Sequence, residues 1–117
     1  MNRNRNMLIV LGVVIWAFSP SIVSAAFKDT DNVTVELISV WVASGDILVQ
    51  TNPKPDITGL GCTNDFWLTL DKDDLGYEAT LSMLLSAQVS RKNIIVRADD
   101  TLGGEFCRLT RVSNKAN

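Results

Sequence analysis

Polar and apolar positions alternate along several short stretches of the chain, and a single stretch follows a helical period instead. The first alternation runs from Val33 to Val42. Val33, Val35, Leu37 and Trp41 share one face there, and Thr34 and Glu36 the other. Ile38, Val40 and Val42 make the second half apolar on both faces, as in a strand that bends between two parts of a barrel. Phe27 to Asn32 reads as a loose polar lead. Ser44-Gly45-Asp46 is a turn signal that predicts a hairpin to a second strand over Ile47 to Gln50. Asn52 to Asn64 holds Pro53, Pro55, Gly59 and Gly61, and so reads as a long connection. A third strand follows over Phe66 to Leu70, with Phe66, Leu68 and Leu70 on the core side and Trp67 and Thr69 opposite.

The helical stretch runs from about Asp74 to Ser90. Tyr77, Leu81, Leu84 and Leu85 form its stripe, continued by Gln88. Asp71 to Asp74 precede it, where carboxylates cap free N–H groups and favour the positive end of the helix. Arg91 and Lys92 suit its C-terminal end, and Asn93 suits a left-handed exit. Ile94 to Ala98 and Glu105 to Val112 are the fourth and fifth strands, joined by a turn from Asp99 to Gly104. The fifth alternates Phe106, Arg108 and Thr110 against Cys107, Leu109 and Arg111. Three strands, a helix and two strands are the order of a small five-stranded OB-like barrel, mainly β with the helix plugging one end. The alternative is an α+β open sheet with one packed helix.

Upstream of these elements stands a different pattern. Arg3 and Arg5 precede an uncharged apolar run from Met7 to Phe18, and Ser24-Ala25-Ala26 follows with small residues. This is the arrangement of a cleavable secretory signal peptide over residues 1–26. A 12-residue run is too short to cross a membrane as a helix of ~20 residues does. Cleavage after Ala26 places Ser24 and Ala26 at the two small-residue positions, and cleavage after Ala25 is nearly as good. The expectation is a single domain over 27–117, periplasmic or secreted, with no stable membrane anchor. That domain carries 9 basic and 13 acidic residues, a net charge of −4. An acidic surface repels phosphate backbones, which argues against a nucleic-acid partner. Cys62 and Cys107 are the only cysteines, and in an exported domain of this size they read as one structural disulfide.

Candidate chemistry is sparse. The chain has no histidine, so the usual general base and metal ligand are missing. Asp71-x-Asp73-x-x-Gly76 resembles the start of a calcium loop, but position five is Leu75, and Ser82 stands at position twelve, where a bidentate Glu is required. An enzyme would need carboxylates such as Asp71, Asp73 or Glu105 to meet in a pocket with raised pKa values. No catalytic, cofactor or metal site is therefore expected. Trp41, Trp67 and Tyr77 are the aromatics able to face a ligand, and Trp67, opposite the core side of its strand, is the favoured contact. Ala79, Ser82, Met83, Ser86 and Ser90 leave one helix face without charge where Lys and Glu are usual. That face reads as an interface, in the first instance between copies of the chain.

Gly61-Cys62 before a strand, Leu84-Leu85-Ser86-Ala87-Gln88 on the helix and Phe106-Cys107 in the last strand resemble a group of short exported bacterial proteins of unknown function. The resemblance spans most of Leu60 to Leu109 and implies the disulfide and the element order. The architecture is also distantly similar to the B subunits of AB5 toxins, exported disulfide-containing OB-folds that form pentameric rings. From that likeness no glycan-binding residue transfers. The reading is a small non-enzymatic binding module for a glycan or protein in the envelope or outside the cell, with homo-oligomerisation through the helix. Its alternative is a monomeric envelope accessory protein, an inhibitor or chaperone-like factor.

Overall fold

The computed structural model describes residues 26–116, and the signal-peptide pattern of residues 1–25 lies outside them. The elements are β1 (Phe27–Trp41), β2 (Asp46–Asn52), β3 (Asn64–Leu70), α1 (Tyr77–Ser90), β4 (Ile94–Asp99) and β5 (Phe106–Ser113). The strands close into a barrel in the order β1-β2-β3-β5-β4. All pairs are antiparallel except β3 with β5, which is parallel. This is the OB-like barrel expected from the element order, and it replaces the open-sheet alternative.

The polar lead Phe27 to Asn32 is not loose. It is the first half of β1, and Phe27 to Val33 pair with β4 while Thr34 to Trp41 pair with β2. Two irregularities bend the strand between these partners. Asn32 takes a left-handed φ of 55° where the register with β4 shifts. A second shift falls between Val35 and Leu37 against β2. A one-residue bulge exchanges the faces of every later side chain. Val33 and Val35 therefore point into the core, whereas Leu37 and Trp41 turn outward and Ile38 takes the inward side. The alternation before the bulge does not extend beyond it.

The core is built by Val33, Val35, Ile47, Val49, Leu68, Leu70, Leu84, Ala87, Ile94, Val96, Ala98 and Leu109, together with both cysteines. Cys62 and Cys107 form the disulfide, with Cα atoms 5.2 Å apart. The bridge ties the end of the long 53–63 connection to β5 beside the parallel β3–β5 pair. Phe66, expected on the core side, is exposed and meets Trp67 edge-on at 5.0 Å. The Asn64 side chain explains this. Its Oδ1 accepts N–H bonds from both Phe66 and Trp67, at 2.9 and 3.1 Å, and so shapes the first residues of β3 as a turn before regular alternation begins at Leu68.

The helix starts three residues later than the pattern indicates. Asp71 Oδ1 accepts the Asp73 N–H at 2.8 Å and the Asp71 carbonyl accepts the Asp74 N–H at 3.1 Å. These acidic residues close their own turn, and the N-cap is Gly76, with no side-chain cap bond. At the other end Arg91, not Asn93, takes the left-handed position, and the Arg91 and Lys92 N–H groups bond the Gln88 and Ala87 carbonyls. Leu84 and Ala87 are buried, Tyr77 and Leu81 pack against the core, and Leu85 is exposed. The inward stripe is centred on Leu84 and Ala87 and leaves Leu85 on its margin.

Candidate functional site

The bulge in β1 places Trp41 beside the tip of the β1–β2 hairpin, opposite Asp46 in the ladder. On β2, Ile47 and Val49 point inward, so Leu48 points outward. Its neighbour Thr69 on β3 is outward for the same reason. Phe106, one position before buried Cys107, faces outward at the start of β5. Trp41, Ser44, Asp46, Leu48, Thr69 and Phe106 together line a cavity of about 290 Å³ on the outer face of the barrel. Trp41 is 61% exposed and Phe106 37% exposed. Two aromatic rings on an open, mostly apolar groove, with a carboxylate and two hydroxyls among its lining residues, suit a ligand having one apolar face and several polar groups.

The hairpin tip that carries these groups is held from below. The Ser44 and Gly45 N–H groups bond the Trp41 carbonyl at 3.2 and 2.7 Å. Asp46 Oδ1 accepts the Lys72 N–H at 2.9 Å, and the Tyr77 hydroxyl donates to the Gly45 carbonyl at 2.8 Å. Gly45 has a φ of 84°, and a Cβ there would stand 2.7 Å from Lys72 Cδ, so only glycine makes this turn without strain. The groove is therefore built on fixed backbone. Tyr77, one of the three aromatics considered for ligand contact, is a positioning residue beneath the hairpin.

Trp67 is half-buried against Phe66 and does not line the groove. Phe106 is not one of the three aromatics expected to face a ligand. Its signal was the alternation of β5, which sets Phe106 on the face opposite Cys107 and Leu109. Trp41 is one of the three, and the bulge moves it off the core face.

On the helix, Ala79, Ser82, Ser86 and Ser90 are exposed and Met83 is half-buried. The Ser90 hydroxyl donates to the Ser86 carbonyl at 2.8 Å, so it is turned back on the helix. Leu85 (45% exposed) and Val89 (82%) extend this uncharged surface on one side. A second cavity, of about 350 Å³, lies between the helix end and β1 and is lined by Thr34, Val35, Glu36, Gln88 and Arg91.

The carboxylates do not assemble into a reactive cluster. Asp71 and Asp73 sit in the turn after β3, while Glu105 stands at the start of that strand, near Asn64. Asp71 and Asp73 thus lie beyond the C-terminal end of β3, and Glu105 beside its N-terminal end. Four other carboxyls lie below their ordinary range. The Thr58 hydroxyl and N–H, with Lys28, draw Asp56 down to about 2. Arg97 lowers Asp29, Lys115 and the Asn32 N–H lower Asp31, and the Gly61 and Ala26 N–H groups lower Asp100. Each is stabilised in its charged form by donors, the opposite of a carboxyl prepared as an acid. Among the described residues no group of three His, Cys, Asp or Glu residues is placed to hold a metal ion.

No family model matches the chain, and no curated protein or solved structure matches it either.

Proposed function

We propose that the protein is an exported, non-enzymatic binding module that takes its ligand in the Trp41–Phe106 groove. Export rests on the basic start, apolar run and small residues of the first 26 positions, and the disulfide accords with a non-cytoplasmic compartment. Among the described residues no helix is long and apolar enough to cross a membrane. The observation that carries the binding reading is the wide exposure of Trp41 at the mouth of the groove.

A glycan is the ligand class that this chemistry favours. The carbon face of a sugar ring stacks on an indole, and Asp46, Ser44 and Thr69 offer acceptors and donors for its hydroxyls. A nucleic acid would also stack on aromatics across an OB barrel, but the excess of acidic residues opposes its phosphates. The test is a panel of immobilised oligosaccharides probed with the disulfide-bonded domain and with Trp41→Ala. Binding of particular glycans that falls at least tenfold in Trp41→Ala supports the reading. Equal binding by both proteins, or none to any glycan, overturns it.

The helix supports a second reading, self-association. Ala79, Ser82, Ser86 and Ser90, with Leu85 and Val89 beside them, form an exposed surface without charge. Native mass separates the alternatives. An oligomer that Ser86→Glu dissociates places the interface on this helix, and a monomer favours the accessory-protein reading.

A further inference from the structure

Asp100 holds two distant segments at once. Its Oδ1 accepts the Ala26 N–H at 3.0 Å, and its Oδ2 accepts the Gly61 N–H at 2.8 Å. Its own N–H donates to the Ala26 carbonyl at 3.2 Å. Ala26 and Asp100 thus extend by one step the ladder that begins at Phe27 and Asp99. Gly61 immediately precedes the disulfide residue Cys62, so the same carboxylate also fixes the entry to the crosslink. Two N–H donors hold it in the charged form, since both lower its pKa.

The sequence permits cleavage after either Ala25 or Ala26, with Ser24 and Ala26 favouring the second. The two mature chains differ in what the fold keeps at Asp100. A cut after Ala26 deletes the residue whose N–H and carbonyl both bond Asp100, and leaves the Asp100 N–H without that partner. A cut after Ala25 keeps both bonds and converts the neutral Ala26 N–H into a charged donor at the same place.

We infer that Ala25–Ala26 is the processing site and that the new α-ammonium of Ala26 forms an ion pair with Asp100, anchoring the mature N-terminus beside the Cys62 loop. The inference rests on the export reading above. The reaction is amide hydrolysis by the export peptidase. The bond from the Ala25 carbonyl carbon to the Ala26 nitrogen breaks, and water supplies a hydroxyl to Ala25 and a hydrogen to Ala26. At neutral pH the freed amine takes a further proton and the Ala25 acid gives one up. The ordinary amine pKa of ~7.7–8.0 keeps most of it charged, and a carboxylate at this distance raises that value.

The experiment is expression of the full 117-residue chain in an export-competent bacterium, followed by intact mass and N-terminal sequencing of the recovered protein. A start at Ala-Phe-Lys-Asp is expected. A start at Phe-Lys-Asp overturns this inference and leaves export standing. A chain retained whole, with its initial residues and outside the periplasm and medium, overturns both. A second measurement tests the ion pair in refolded protein. Removing Ala26, or replacing Asp100→Asn in the form that begins at Ala26, is expected to lower the melting temperature by about 2–5 °C. In the form that begins at Phe27, Asp100→Asn is expected to cost less than this, because the shared contact is already gone. NMR titration is expected to place the Ala26 amine above its ordinary range, returning towards it in Asp100→Asn. Equal melting of all forms and an unshifted amine would overturn the pairing.

Discussion

Arg108 on β5 donates through Nη2 to the carboxylate of Asp74, 34 positions earlier in the acidic turn before the helix. Both side chains are about three-quarters buried, at 27% and 24% exposed. The Arg108 Nε is buried with no protein partner. With Gly76 as the N-cap, this pair joins the Lys72–Asp46 and Tyr77–Gly45 bonds in fastening the helix approach to the barrel wall.

Breaking that pair from one side is therefore expected to cost more than removing it whole. Asp74→Ala leaves a partly buried guanidinium unpaired, and about 1–3 kcal/mol of stability should be lost. Arg108→Met combined with Asp74→Ala should recover part of that loss, because no unpaired charge remains. Denaturant unfolding of the two single variants and the double variant measures the coupling.

Leu84 and Leu85 are neighbours with opposite fates. Leu84 is fully buried, and Leu84→Ala is expected to cost about 2–5 kcal/mol by lost burial and the cavity left behind. Leu85→Ala and Val89→Ala should each stay within ~1 kcal/mol in the isolated chain. If the helix is an interface, Val89→Ala should instead shift the native mass, which light scattering reads.

Acid should loosen the loop that carries Asp56 and the strand ends that carry Asp29, Asp31 and Asp100. All four are lowered in the folded protein, Asp56 from 3.8 to about 2. A depressed carboxyl contributes its stability above the unfolded value and loses it as pH falls through the folded one. The loss is thus expected between pH 4 and pH 2, with little change above. Asp56→Asn should flatten the lower part of that profile when thermal melts are compared across pH.

Reducing the Cys62–Cys107 bridge is expected to cost roughly 2–4 kcal/mol, since it closes a span of 45 residues. Cys62→Ser together with Cys107→Ser should match the reduced wild-type protein in denaturant unfolding. A double variant as stable as the oxidised protein would show that the barrel alone suffices.

The element order, the hairpin and the crosslink could be read from the sequence because each depends on local pattern or on counting. Alternation in β2, β4 and the start of β5, and the spacing of Tyr77, Leu81 and Leu84, carried their own evidence. What escaped depended on the tertiary partner. Nothing in the polar stretch Phe27 to Asn32 announces that β4 lies beside it, with Arg97 paired to Asp29 and stacked 3.9 Å above the Phe27 ring. The β1 bulge is likewise a consequence of one strand serving two neighbours. Without it Trp41 reads as core. The acidic run before the helix looked like a cap because cap and turn recruit the same side chains, and Arg108 fixes Asp74 in the turn. The groove joins the hairpin tip to Phe106 over some 60 positions, and only barrel closure brings them together.

Closure has one further consequence. A closed barrel has no strand edge open to a stranger, and in this chain the ring is completed where β3 and β5 run parallel. That contact is short and irregular, with registered pairs at Asn64, Leu68 and Thr69 only, and the sulfur bridge stands beside it. Oxidation is thus expected to hold this contact closed. A barrel that opened at this contact would present two backbone rows able to pair with other chains, so the bridge bears on association between chains as well as on folding.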